Sequence, residues 1–527
     1  MHLPPTDKEA YYFTPTNLDE LKAIVADARQ KGLRVRTSGQ RHAQPPLVAS
    51  DNRNAPQPKP DCYLVDMSCY VDLGDNGIQL GPGPNQVTLN PGVREDYLDA
   101  FLTNNNLMLQ TVTAGGFFSA GGMTAVDVHG GTVEGPIFAE TASAFTILGP
   151  DGNLTTIDAT TPPVNGWSPL QFARVSFGAL GIVTRITLDV LPRPYATTLK
   201  GGLDWYLWKD KQAFIAGFKG QLSGASKHAR IEAFYTPYAA APNVPWWATD
   251  NFLVLWWDVV GNPNPKTPNN APMPKTACTL AKEDKWGAAV VTGFKGYAVQ
   301  YLRESQYWSN AYNPVQGFPP VPPSAFTKIG LDEIQSQTEA ANAANSDLWL
   351  AEAAQVMFMS YFIELPDLDT AGLGMVWDGL DAVAKRTIND GDFHIAAPME
   401  FRFVKAGNSA LSGAYTTNKD AYLVNLDLIG FIEAQPAGDY PAKLLQFFAD
   451  VERDWVAMGG FPHNGKMYGF YDPAAPAGTH TAPFNANFLK TINSRRTERV
   501  KAFNDYRVSR DPAGLFENDY VRALLGA

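Results

Sequence analysis

Two glycine-rich stretches, one histidine and a few charged side chains in apolar surroundings carry the chemistry legible in this chain. The first stretch is Arg36-Thr37-Ser38-Gly39-Gln40-Arg41-His42-Ala43. The second runs from Thr113 through Gly115, Gly116, Ser119, Gly121 and Gly122 to Thr124, and Val128-His129-Gly130-Gly131-Thr132 follows it. Glycine lets a backbone turn at positive φ and approach a ligand with no Cβ in the way. Successive exposed N–H groups then form a concavity for phosphate oxygens. A single loop of this kind is a weak signal, since many such glycines only make turns. Two in this order suit one dianionic dinucleotide, with backbone from Gly39, Gln40, Arg41, Gly116, Ser119, Gly121 and Gly122 around its pyrophosphate. His42 sets a nucleophile beside that cradle, because neutral imidazole is competent once a neighbour orients it. The combination predicts a flavin enzyme with the flavin bound covalently through His42. The plainer alternative is a loop histidine bonded to backbone.

A second constellation lies far downstream. In Met399-Glu400-Phe401-Arg402-Phe403 the charged residues alternate with large apolar ones, so on a strand Glu400 and Arg402 share one face. Arg230-Ile231-Glu232-Ala233-Phe234 repeats the pattern around Glu232. Most Glu-x-Arg pairs are solvated ion pairs on edge strands. In an apolar setting a carboxylate gains proton affinity, which suits a proton carrier, and a neighbouring arginine can offset that shift.

The elements that must hold these residues are readable from pattern. Asn17 to Lys31 has helix marks: a Thr16 or Asn17 cap, Asp19 and Glu20 in the first turn, an apolar stripe, and Gly32 as terminator. Leu33–Arg36 then reads as a strand feeding the first loop. Strands at 62–67, 78–80, 87–89, 144–149, 154–158 and 182–191, with a helix at 94–105, complete an α+β unit. From about 199 to 455, helices at 211–222, 338–346, 377–390 and 441–458 alternate with strands at 230–235, 356–363, 397–404 and 421–429. That alternation predicts an antiparallel sheet covered by helices. Loops rich in Pro and Asn at 239–245 and 261–274, and the run Phe318-Pro319-Pro320-Val321-Pro322-Pro323, make segments 239–275 and 313–325 candidates for an entrance lid. The tail from Asn487 to Leu525 reads as helical with a break at Asp511-Pro512.

Composition sets the outer limits. A chain of 527 residues exceeds one hydrophobic core, so two or three domains are expected. The net charge of −11 argues against nucleic acid, which needs a basic face. No apolar stretch is long enough to span a membrane, and no residue cluster has metal-ligand spacing. Aromatic residues make up 12%, and their clustering in the middle of the chain suggests a large apolar cavity or a thick core. Three cysteines, Cys62, Cys69 and Cys278, are too few for a disulfide framework and leave the redox compartment open. The N-terminus shows no basic or apolar leader region, so the protein is either cytoplasmic or a secreted or periplasmic one whose signal peptide has been replaced by an initiating Met.

Taken in order, the two loops, the 128–131 step, Phe177-Gly178-Ala179-Leu180-Gly181-Ile182-Val183-Thr184-Arg185 and the ending Phe503-Asn504-Asp505-Tyr506-Arg507 with Asp511-Pro512-Ala513-Gly514-Leu515-Phe516 resemble the vanillyl-alcohol-oxidase (PCMH-type) FAD-binding family. The resemblance implies an α+β, two-domain fold: an FAD-binding part at 1–198, a substrate domain of antiparallel sheet and helices at 199–461, and a C-terminal segment, 462–527, that returns to the first domain. It implies FAD held by Ser38, Gly39, Gln40, Arg41, His42, Ala43, Gly115, Gly116, Ser119, Gly121, Gly122, Gly130, Gly131, Gly181 and Ile182. Within the family the chain is most similar to type II bacterial cholesterol oxidases, which carry covalent FAD. That similarity rests on Gln40-Arg41-His42, Ile231-Glu232-Ala233-Phe234-Tyr235, Met399 to Phe403, and Pro462-His463-Asn464-Gly465-Lys466-Met467.

The implied function is oxidation of the 3β-hydroxyl of cholesterol, isomerisation to the Δ4-3-ketone and formation of hydrogen peroxide from dioxygen. Glu232 or Glu400 would handle protons, Arg402 would stabilise charge, and Asn464 would face the flavin or substrate. Many relatives carry Trp at the position of Asn464. The expected partners are a sterol and dioxygen, with room for transient contact with sterol-containing membranes or micelles, in a monomeric protein. Two alternatives remain: an FAD-dependent oxidase or dehydrogenase of sugars, alditols or aldonolactones on the same fold, and a non-catalytic flavin- or lipid-binding protein.

Overall fold

The computed structural model describes residues 11–48, 62–224, 227–238, 250–262, 266–283, 302–307, 323–350, 356–389, 393–432 and 440–526. Helix Leu18–Lys31 begins where the Asn17 side chain accepts from the Glu20 N–H and ends at Gly32 in the left-handed region. Its buried stripe, Leu21, Ile24, Val25 and Ala28, packs on a parallel sheet ordered Tyr12–Phe13, Cys62–Asp66, Arg34–Ser38. Beside it stands an antiparallel sheet ordered Ile78–Leu80, Gln86–Leu89, Ile182–Asp189, Ala142–Leu148, Leu154–Asp158. In Ile182–Asp189 buried and half-buried residues alternate strictly, the mark of a strand with one face on the core.

The middle of the chain forms a seven-stranded antiparallel sheet ordered Thr198–Tyr206, Phe252–Val260, Arg230–Tyr235, Met399–Lys405, Tyr422–Phe431, Val356–Leu365, Phe461–Pro462. Aromatics explain one of its faces. Phe214 and Phe218 of helix Lys211–Leu222 meet Phe252, Phe401 and Phe403 at centroid distances of 5.3–6.1 Å. The odd residues of Met399–Lys405 therefore enter the core, and Glu400 and Arg402 must project from the opposite face. Helix Pro323–Ala343 covers part of that face through Leu331 and Ala341, against Leu199, Leu253 and Leu255.

The C-terminal helices Ala486–Ser494, Thr497–Arg510 and Asp519–Leu525 belong to a segment that returns to the N-terminal unit. There the Val35 N–H donates to Leu515 O at 2.8 Å, and Arg34 pairs with Asp519. The break expected at Asp511 is present as the end of the middle helix.

Several sequence expectations need correction. The helix expected at 338–346 is the last part of the longer Pro323–Ala343; Pro at a first helical position has no N–H to waste and does not disrupt. Trp256-Trp257 lie in the strand Phe252–Val260, where no strand was expected, because a run buried on both faces shows no alternation. Segments 239–249 and 308–322, with Trp246-Trp247 and about half of the candidate lid, lie outside the described residues, as do 263–265.

The cysteine reading also changes. Cys69 and Cys278 form a disulfide across 209 residues, while Cys62 is a buried thiol whose Sγ lies 3.9 Å from Val48 O. The bond ties the turn Met67–Cys69 to helix Ala277–Glu283. No spacing rule finds a pair so distant. Closing so long a loop restricts the unfolded chain, so Cys278→Ser should lower stability by about 2–5 kcal/mol. Chemical denaturation of both proteins checks this, and equal midpoints would show the bond to be dispensable.

Candidate active site

A cavity of about 930 Å³ lies between the two glycine loops and the inward face of the seven-stranded sheet. Strand Arg34–Ser38 delivers the first loop to it. Its anchor is Arg36, whose buried guanidinium donates to Leu47 O (2.7 Å), Phe177 O (2.5 Å) and Phe516 O. Arg41 has φ of 60° and turns its side chain back to Asp66 at 2.6 Å, which also accepts from Tyr12 OH. The loop backbone is thus left facing the cavity. Gly39 is required for the two loops to interlock: a Cβ there would fall 1.9 Å from Ser119 Oγ.

Ser38, Gly39, Gln40, Arg41, His42, Ala43, Ser119, Gly121, Gly122 and Gly181 all line the cavity. Gly115, Gly116, Gly130, Gly131, Ile182 and Asn464 are not among its lining residues. Their geometry explains why. A Cβ on Gly130 would strike Val112 O at 1.8 Å and one on Gly131 would strike Ile231 O at 2.5 Å, so both glycines serve close backbone packing. Gly115 is backed by the Phe117 ring and Gly116 by Leu348, and Ile182 sits in the core under helix Leu18–Lys31. Asn464 is turned away: its Nδ2 donates to Asp127 Oδ2 (2.5 Å) and Leu411 O (3.1 Å). Asp127 also accepts from the Asn464 N–H and from Ser412 Oγ. The residue therefore pins the turn that carries His463 and Lys466 into the cavity.

The structure brings both carboxylates and the arginine of the sequence pattern to one point. Phe234 is in register with Glu400 on the next strand, and Glu400 with Asp427 on the one after. Arg402 Nη2 lies 2.6 Å from Glu400 Oε1 and 3.4 Å from Asp427 Oδ2, and Nη1 lies 3.9 Å from Glu232 Oε1. The second Glu232 oxygen accepts from Trp349 Nε1 at 3.0 Å. All four charged groups are buried. Burial drives the Glu400 carboxyl well above the ordinary range, against the pull of Arg402 and with the push of Glu232. Burial and Glu400 push Asp427 up to about 7. Burial alone would lower Arg402, but Glu400, Glu232 and Asp427 outweigh it and hold the guanidinium protonated.

Three histidines share the cavity. Burial, with Lys466 and Arg94, pulls His42 down to about 3, so its imidazole is neutral near pH 7. Its ring lies 4.8 Å from Phe117 and 5.0 Å from Phe118. His129 and His463 are also held neutral, chiefly by burial. His129 Nδ1 lies 3.3 Å from Gly130 O, as a structural histidine would.

Asp427 and Trp349 line the site but escaped the sequence reading, and His463 and Lys466 line it too, although the sequence showed them only as parts of a family-like motif. Asp427 carried a usable signal: Asn425 and Asp427 alternate with apolar residues in Tyr422–Phe431, as Glu400 and Arg402 do in their strand. Trp349 carried none.

Whether these residues fit a flavin dinucleotide can be tested on the geometry. Ser38 Oγ is buried and has no hydrogen bond within the protein, an unspent group at the glycine cradle. The cavity is large, loop-lined at one end and charged at the other, as a cofactor with a phosphate part and a reactive ring requires. The residues fit the group.

This arrangement is that of a flavin-binding fold with a charged substrate chamber. Residues 10–158 match the family described as FAD binding domain, and residues 378–524 the family described as D-arabinono-1,4-lactone oxidase. The chain thus carries an FAD-binding domain of the PCMH type and, toward its end, a segment that matches the lactone-oxidase family. It is similar to L-gulonolactone oxidase of Bos taurus, 25% identical over 37% of this chain and 41% of that one. D-arabinono-1,4-lactone oxidase of Eremothecium gossypii is 26% identical over 34% of this chain and 31% of its own. Those two matches thus span less than half of either relative. L-gulonolactone oxidase of Scyliorhinus torazame matches over 97% of this chain and 94% of its own at 24% identity. Among solved structures, cholesterol oxidase from B. sterolicum superposes with a TM-score of 0.69 at 15% identity, covering 97% of this chain and 93% of that one. A solvent-stable cholesterol oxidase superposes at 0.63 and 16% identity, covering 97% and 94%. At such identities the likeness speaks for the fold.

Proposed function

We propose that the protein is an FAD-dependent oxidase of a CH–OH group whose substrate is a small polyhydroxylated lactone of the aldonolactone class. The observation that carries this reading is the buried cluster Glu232, Glu400, Arg402 and Asp427 facing the cavity. Buried polar groups left without partners weaken binding, so such a wall favours a ligand with several hydroxyls over an apolar ring system. The partial sequence matches to aldonolactone oxidases support the same reading. It departs from the sterol reading of the sequence, in which the aromatic middle domain carried most weight; many of those rings pack on the opposite face of the sheet.

A second reading, oxidation of a sterol 3β-hydroxyl, is favoured by one observation. Phe234, Ile334, Leu350, Ile429 and Phe431 give the same cavity an apolar wall. Burial of a rigid ring system against it would contribute ~25 cal/mol per Å².

Bound FAD would supply acceptance of the hydride from the carbinol carbon. Ser38, Gly39, Gln40, Arg41, Ser119, Gly121 and Gly122 would hold its phosphate part, and His42 would bind it covalently. Glu232 or Glu400 would take the hydroxyl proton, and Arg402 would offset the negative charge that forms. The surrounding sheet and loops bury Glu232, Glu400 and Arg402.

Anaerobic addition of substrate decides between the readings. The yellow colour should bleach with L-gulonolactone or D-arabinono-1,4-lactone and persist with cholesterol. Bleaching by cholesterol alone would reverse the assignment, and no bleaching by any alcohol would leave a non-catalytic binder.

The pH dependence follows from the raised carboxyls. Groups whose affinity for protons is raised keep them through mildly acid pH, and a protonated carboxyl cannot accept the hydroxyl proton. The bleaching rate should therefore rise as pH increases through the neutral range where Asp427, at about 7, and Glu400 ionise. A flat profile across that range would remove these groups from the rate.

We also infer export to an oxidising compartment, which the Cys69–Cys278 disulfide supports. Free-thiol titration of protein taken directly from the producing cells checks it. Three reactive thiols after denaturation would count against export.

A further inference from the structure

Two carboxylates share one arginine in this site, and they do not share it equally. Arg402 closes on Glu400 at 2.6 Å and stands 3.9 Å from Glu232 Oε1. Glu232 has another partner, the indole N–H of Trp349, at 3.0 Å on Oε2. Its Oε1 is buried on the side of Arg402 Nη1 and the Glu400 carboxyl. An indole is a donor that cannot accept, so it favours the ionised carboxylate and leaves the other oxygen as the basic one.

The indole is held from several sides. Two residues before it, Asp347 pairs with Arg230, itself two residues before Glu232 on the same strand. Leu348 packs over Gly116, where a Cβ would fall 2.7 Å from Leu348 Cδ1. The Leu350 N–H donates to Ala114 O at 2.9 Å. The Trp349 ring meets Phe234 edge-on at 5.8 Å. Segment 347–350 is therefore fastened both to the second glycine loop and to the strand that carries Glu232. A donor fixed in this way sets one orientation of the carboxylate against the cofactor end of the cavity.

We propose that Trp349 is a positioning residue for Glu232: it occupies Oε2 and so turns Oε1 toward Arg402 and Glu400, where that oxygen takes the hydroxyl proton of the substrate. The role of Glu232 rests on the oxidase reading above; the link between Trp349 and Glu232 does not. Other charged or titratable groups lining the cavity are Glu333, Glu400, Arg402, Asp427, Lys466 and Tyr440, the imidazoles of His42, His129 and His463, and Arg36 and Arg41. Of these, Arg402 and the Glu400 carboxyl face Glu232 directly.

Trp349→Phe removes the N–H and keeps a ring against Phe234. In anaerobic flavin reduction by the alcohol that bleaches the wild type, its ascending pH limb should move up by about one unit, since a hydrogen bond to a charged group is lost. On the acid side of that limb the rate should fall roughly tenfold, recover at higher pH, and leave KM within about threefold. A uniform loss at every pH with an unmoved midpoint is what a merely structural tryptophan gives, and it overturns the proposal.

A second readout needs no turnover. In the flavin-loaded protein with 15N-labelled tryptophan, the Nε1–H resonance that disappears in Trp349→Phe should shift in Glu232→Gln. If it does not shift, the proposal is overturned. A wild type that no alcohol reduces sinks the oxidase reading, and the resonance still decides the Trp349–Glu232 link.

Discussion

Arg402→Met should slow reduction of the bound flavin by substrate about 10²–10⁴-fold, the range over which a lost electrostatic or proton-handling group acts. Glu400 is paired with Arg402 at 2.6 Å, and Glu232 and Asp427 stand within 4 Å of the same guanidinium. Without it three buried carboxyl groups face one another, and the low-cost response is to hold protons rather than charge. Arg402 lowers the proton affinity of both Glu400 and Asp427, so its removal also moves the pH limb of the reaction upward. Met keeps much of the side-chain volume, so the expected loss is in rate rather than in fold. Stopped-flow bleaching under anaerobic conditions, with circular dichroism as the control for folding, makes the measurement. A rate within twofold of wild type at every pH would take Arg402 out of the chemistry. Arg402→Lys should recover only part of the rate, because an ammonium cannot span the carboxylates as a planar fork does.

The second large effect concerns attachment of the cofactor. Wild-type protein precipitated with acid should stay yellow, and His42→Ala should release its FAD to a yellow supernatant. His42 lines the cavity beside Gly39, Gln40 and Arg41, and its imidazole is neutral because burial pulls it down to about 3. A neutral ring nitrogen in a shielded site is a competent nucleophile. The flanking rings of Phe117 and Phe118 restrict the imidazole and so limit the cost of orienting it. The variant should still fold and bind FAD, since the glycine cradle does not depend on His42. A colourless wild-type pellet would show that the flavin is held without a covalent bond.

Much of this was legible in the chain. Local rules determined helix Leu18–Lys31 with its Asn17 cap, and the strand Arg34–Ser38 that leads into the first loop. Alternation identified strands at 230–235 and 397–404, with Glu400 and Arg402 on one face of the second. These succeed because the forces are short-ranged: a cap, a stripe or a pleat is complete within a few residues. Asp427 was within reach by the same argument and was passed over. Phe252–Val260 was missed because burial on both faces erases the period that reveals a strand.

The residue types and their facing were therefore decided by the chain's own order, down to a charged pair placed on the inner face of a strand. Only the tertiary structure decided which residues meet. It closed Cys69 on Cys278 across 209 residues, turned Asn464 toward Asp127, withdrew Gly130 and Gly131 into backbone packing, and brought Trp349 onto Glu232. These contacts join segments far apart in sequence, and their energies depend on packing that no local pattern contains. For that reason the cofactor cradle could be read from spacing, while the polarity of the substrate chamber appeared only once the sheet had brought its strands together.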